Sequence, residues 1–110
     1  MKIPDKLKIG GHEYEIVFPY YFTERSDVTG QNDFNGKIIR VADKVDSEFR
    51  ASSAIAVTFI HEVLHAIDHN SGQRMFEGSD GETKIEALSE GIYQVIVDNG
   101  EGIDGFIGRS

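Results

Sequence analysis

Cysteine is absent from the 110 residues. That excludes disulfides, thiolate metal sites and cysteine nucleophiles, and it fits a reducing compartment such as the cytoplasm. No apolar run approaches the roughly 18 residues that a membrane helix needs, so no spanning segment is expected. The stretch Met1 to Gly10 carries no apolar block of the kind found in secretory signals; it interleaves Lys2, Lys6 and Lys8 with Ile3, Leu7 and Ile9 and reads as the start of a strand. Positive charge is scarce: 11 Lys and Arg stand against 19 Asp and Glu, a formal net charge of -8. A chain that grips a phosphate backbone presents a basic face, and none is visible, so nucleic acid is not an expected ligand. The length fits one domain, large enough to fold around its own core without a staple.

The first half reads as strands. In His12 to Phe18, Tyr14, Ile16 and Phe18 fall on one face, and Gly10-Gly11 can turn this strand back on Lys6 to Ile9 as a hairpin. Pro19 ends it. After a loop from Tyr20 to Thr29, Gly30 to Phe34 and Lys37 to Val41 form a second hairpin through Asn35-Gly36, a pair that tolerates positive φ at both turn positions. Beyond Ala42 the pattern becomes helical. Asp46 or Ser47 is placed to cap a helix reaching about His69, with no Gly or Pro inside it, and Asn70, Ser71 and Gly72 stop it. A polar loop runs to Gly81. A second helix spans about Glu82 to Asp98, with Ser79 and Glu82 spaced as a capping box. The expectation is an α+β fold: a small antiparallel sheet of three to four N-terminal strands packed with two helices, one domain over residues 1–99, and a Gly-rich mobile tail over 100–110.

His61-Glu62-Val63-Leu64-His65 matches H-E-x-x-H inside the first helix. Residues four apart lie one turn apart on one face, about 6 Å along the axis, so two imidazoles so placed can reach one zinc ion. Glu62 projects about 100° round from His61, beside the metal, where a base acting on metal-bound water belongs. The apolar face of the helix is Ala56, Phe59, Ile60, Val63 and Ile67. His61 and His65 share the other side with Ala54, Val57 and Thr58, where a surface helix would carry charge, so a cleft is expected there.

A catalytic zinc takes three protein ligands and an open position. His69 continues the histidine stripe but lies about 12 Å from His61 along a straight helix, too far to share an ion. A carboxylate of the second helix is the better candidate. On that helix Ile85, Leu88, Ile92, Val95 and Ile96 make an apolar stripe, and Glu86, Glu90, Tyr93 and Val97 make a separate one. Taken alone, that separation favours Glu86 and Glu90 as solvated surface groups.

With His61-Glu62-x-x-His65 followed by Glu86-Ala87-Leu88-Ser89-Glu90, the chain resembles the gluzincin layout of thermolysin-type peptidases. At the scale of roughly Lys6 to Asn99 it is similar to small ImmA/IrrE-type metallopeptidases, including short phage-encoded ones. The resemblance implies a zincin-like fold and one Zn2+ held by His61, His65 and Glu86. It implies an acidic partner at Glu90 that orients a metal-bound imidazole, although Glu90 is one methylene longer than the family's Asp. Glu90 is the fallback ligand, and Glu77, Asp80 and Glu82 are more remote. The implied reaction is hydrolysis of a peptide bond in a peptide or protein substrate by zinc-bound water, in the cytoplasm (of a bacterial host, for a phage protein). Glu62 would be general base and Tyr93 the first candidate to stabilise the oxyanion, ahead of His12, His69, Tyr20 and Tyr21. Asp68 is a candidate second-shell partner, or a charge at the helix end. In such peptidases the substrate adds as a strand to a sheet edge, and Lys37 to Val41 is the candidate edge. The alternatives are an inactive, metal-stabilised protein-binding module and a metal-dependent hydrolase of a non-peptide bond.

Overall fold

The computed structural model describes residues 2–106 and 108. Strands β1 (Lys6–Ile9) and β2 (His12–Val17) form the expected hairpin, with Gly10 and Gly11 at φ 58° and 84° in the turn. Strands β3 (Gly30–Asp33) and β4 (Ile38–Val41) are antiparallel, but their connection is not a two-residue turn. It spans Phe34 to Lys37. The positive φ falls at Lys37 (58°), and Asp33 Oδ1 accepts the Gly36 N–H at 2.9 Å.

The sheet order is β1-β2-β4-β3, and β2 pairs with β4 in parallel, Ile16 opposite Ile39. The sheet is therefore mixed, not antiparallel, and Lys37 to Val41 is central, not an edge. The residues give the reason. β4 buries Ile39 and Val41 completely, whereas β3 is Gly-Gln-Asn-Asp, a polar strand suited to an edge. The long loop after Pro19 carries the chain past the β4 position, so that β4 inserts between β2 and β3. A two-stranded ribbon, β5 (Lys44–Val45) and β6 (Glu48–Phe49), follows.

Helix α1 covers Ser52–Ser71. It starts later than expected because Asp46 and Ser47, at φ 49° and 70°, turn the β5–β6 ribbon instead of capping a helix. Gly72, at φ 73°, closes α1 as expected, its N–H reaching the carbonyls of Asp68 and His69. Phe59 and Ala66 of α1 pack on Ile9, Tyr14, Ile16, Ile39 and Val41 of the sheet, and this is the core.

Helix α2 covers Gly81–Asp98. No capping box forms at its start: the N-cap is Asp80 without a side-chain bond, and the Glu82 carboxylate is engaged elsewhere. Ile85 and Ser89 are buried, but Leu88, Val95 and Ile96 of the expected apolar stripe stay exposed. Helix α3, Gly100–Phe106, occupies most of the stretch expected to be a mobile tail; residues 107, 109 and 110 of that stretch lie outside the described residues.

Gly81 sets where α2 begins. A Cβ there would stand 1.9 Å from the Phe76 carbonyl oxygen, a clash with backbone that no rotamer relieves. Gly81→Ala should therefore lower the unfolding free energy by about 2 kcal/mol, measured by chemical denaturation. An unchanged midpoint would mean that the loop before α2 yields freely.

Candidate metal centre

His61 and His65 stand in the middle of α1, on the side that meets the start of α2. Their Nε2 atoms are 3.1 Å apart. Glu82, in the first turn of α2, bridges them: Oε1 lies 3.0 Å from His65 Nε2 and Oε2 lies 3.2 Å from His61 Nε2. Two ligand atoms of a tetrahedral zinc-type ion, each about 2.05 Å from it, are about 3.3 Å apart. The distance between the two imidazole nitrogens is close to that separation, and Glu82 sets a different oxygen at a similar distance from each ring. One donor atom from each of the three residues lies within 4.8 Å of the others, so His61, His65 and Glu82 form a group that can hold a metal ion.

Glu86, the expected ligand, is one turn further along α2 and takes the other ring nitrogen. Its Oε1 lies 2.8 Å from His61 Nδ1. A carboxylate there keeps the proton on Nδ1, fixes the ring and leaves the Nε2 lone pair free for a cation. The acidic pair on α2 is thus Glu82 and Glu86, not Glu86 and Glu90. Glu90 is exposed and lies outside the cleft.

Glu62 is 8 % exposed and pairs with no lysine or arginine among the described residues. Burial pushes its carboxyl pKa up; the nearby His65 and the Asn32 amide pull it down, and Glu82 and Glu86 push it up further. Asn32, on β3, donates from Nδ2 to the Glu62 carbonyl oxygen at 2.6 Å and approaches Glu62 Oε1 at 3.4 Å. Gly30 makes room for the carboxylate: a Cβ at this position would stand 2.8 Å from Glu62 Oε2 and 2.8 Å from Thr58 Cγ2.

These groups share an open cleft of about 430 Å³, walled by α1, the first turns of α2, β3 and the end of the loop before β3, where Arg25 and Asp27 lie. Arg25 is held by Asp27 through two bonds, at 3.1 and 3.3 Å.

The remaining sequence candidates are placed elsewhere. Tyr93 is eleven residues beyond Glu82, about 16 Å along the helix, and does not line the cleft. Nor do His12, Tyr20 and Tyr21. His69 stacks on Phe34, ring centroids 4.2 Å apart. Asp68 is no partner of a metal-site histidine: its two oxygens accept the Met75 and Phe76 N–H groups at 2.7 and 3.0 Å and tether the loop between the helices. Glu77 pairs with Arg74 and Asp80 with Lys84, and neither belongs to the group. Sequence reasoning gave Glu82 a minor place and missed Arg25, Asn32 and Gly30. The only signal for Glu82 was its spacing of four from Glu86, which repeats between Glu86 and Glu90.

The chain matches no family model, no curated protein and no solved structure.

Two measurements follow from this geometry. In zinc titrations, Glu82→Ala should cost far more affinity than Glu86→Ala. The latter should lose about 10–100-fold, as removal of an orienting partner does, and Glu90→Ala should lose nothing; equal losses at 82 and 90 would reject the ligand assignment. The second concerns the metal-free protein. Because the folded Glu62 binds its proton more tightly than the unfolded one, stability falls as pH rises through the window between the two pKa values. Glu62→Gln should therefore raise Tm at neutral pH, with the gain vanishing in acid where both side chains are neutral. A lower Tm at neutral pH would show that the buried carboxylate is not a strain on the fold.

Proposed function

We propose that this chain is a zinc-dependent hydrolase, an endopeptidase that cleaves peptide bonds with Glu62 as the base. The observation that carries the reading is a carboxylate buried beside a His-His-Glu group on the wall of an open cleft. A purely structural metal site has no use for such a base, and burying it costs stability. Two imidazoles and a carboxylate are a donor set suited to zinc. Held by His61, His65 and Glu82, an ion would supply Lewis acidity for a water and a carbonyl.

The chain's own residues supply the rest. Glu62 accepts the proton of the attacking water and returns it to the leaving amine. The same burial that raises its pKa makes it a better proton acceptor and then a competent donor. Asn32 fixes the backbone of Glu62, and the bare Cα of Gly30 leaves its carboxylate space to lie in the cleft. Arg25, a permanent cation on the cleft wall, replaces Tyr93 as the residue we assign to the oxyanion. An extended substrate has a strand to join: among the described residues β3 pairs with β4 alone and lies at the sheet edge along the cleft, where β4 was expected to serve.

The decisive comparison is Glu62→Gln against the parent protein, both zinc-loaded, on an unfolded protein substrate. Zinc content should be unchanged and the cleavage rate should fall by at least about 100-fold. Gly30→Ala should behave alike, since its Cβ displaces the same carboxylate. A Glu62→Gln protein that holds zinc and cleaves normally would remove the base from the mechanism.

A further inference from the structure

A second cavity, of about 440 Å³, adjoins the metal cleft and shares His65 with it as a common wall. It is lined by Phe34 from the β3–β4 connection, His69 from the last turns of α1 and Phe76 from the tethered loop. Phe34 and His69 lie nearly parallel, 8° between ring planes, and form a flat slab. Of the charged groups around the cavity, Asp68 is committed to the loop, and Arg74 and Glu77 are largely exposed to solvent. Both oxygens of Asp68 are occupied by the Met75 and Phe76 N–H groups. Arg74 and Glu77 pair with each other at 3.8 Å. Away from those two exposed side chains, what the cavity offers an occupant is the aromatic surface of Phe34, His69 and Phe76.

We propose that this cavity is the specificity pocket of the site and takes an aromatic side chain of the substrate next to the scissile bond. The inference rests on the metal-site reading above and deepens it. His65 is a member of the metal-holding group and also a wall of the pocket, so the pocket lies beside the place where the reacting carbonyl would sit. An aromatic ring is the side chain that gains most from a flat slab, through area burial and offset stacking together. A charged side chain would find there only Arg74 and Glu77, whose charges are screened by solvent and contribute little to binding.

Small metal chelators test this on the zinc-loaded full chain. N-acetyl-phenylalanine hydroxamate is compared with N-acetyl-alanine hydroxamate, and benzylsuccinyl hydroxamate with succinyl hydroxamate, so that the ring is offered on either side of the chelating group. Affinities are read by calorimetry for the parent chain and for Phe34→Ala and His69→Ala. His69 is exposed, so its removal leaves the core intact even if the Phe34 variant folds poorly. In at least one pair the aromatic member should bind about tenfold more tightly, the worth of burying roughly 60 Å² of apolar surface. Each substitution should erase most of that preference while leaving the alanine or succinyl member unaffected. If the small chelators bind but the ring adds nothing, or if the preference survives both substitutions, the pocket assignment is overturned and the metal site stands. If no hydroxamate binds a chain that has been offered zinc, the metal site and the pocket are overturned together.

Discussion

The Glu82 carboxylate set across two imidazoles is the contact on which the other features of the site depend. It joins the first turn of α2 to the middle of α1 and converts two neighbouring helices into a single donor group. Its placement requires α2 to begin at one definite point. Gly81 allows the close approach to the Phe76 carbonyl, and Asp68 pins the preceding loop by its backbone. Once Glu82 is in place, Glu86 falls one turn later onto His61 Nδ1, as the helical repeat requires.

The second constraint is the buried Glu62. A carboxylate removed from water without a cationic partner weakens a fold. The structure lessens that cost only in part, through one amide from Asn32 and the space left by Gly30. Both of those residues belong to β3, the polar edge strand. The strand that contributes least to the core is thus the one that shapes the region around Glu62, and its polarity has a local purpose beyond the protection of an edge.

Much of this was legible in the sequence, for identifiable reasons. The α+β order, the first hairpin, the helix stop at Gly72 and the pairing of His61 with His65 all follow from local rules, namely turn residues, period and spacing. What failed was set by distant parts of the chain. Nothing local in Ile-Ile-Arg-Val says that it pairs in parallel with β2; that depends on how a long loop returns. The carboxylate that bridges the two imidazoles lies one turn before the expected ligand, Glu86: Glu82, Glu86 and Glu90 offer two equivalent spacings, and the choice between them is made by the length and tethering of the loop before α2. The apolar stripe of α2 was a poor guide as well, since that helix meets α1 mainly along its first half, and Leu88, Val95 and Ile96 remain outside.

Helix α1 is enclosed on two sides, by the sheet on one and the cleft on the other. Hence it has few positions at which a side chain can change without touching either the core or the donor group. Evolutionary drift in such an architecture is channelled to the perimeter, to the chain before β3 that carries Arg25 and to the turn that carries Phe34. Two molecules of this design can diverge at those surfaces while keeping nearly the same central helix.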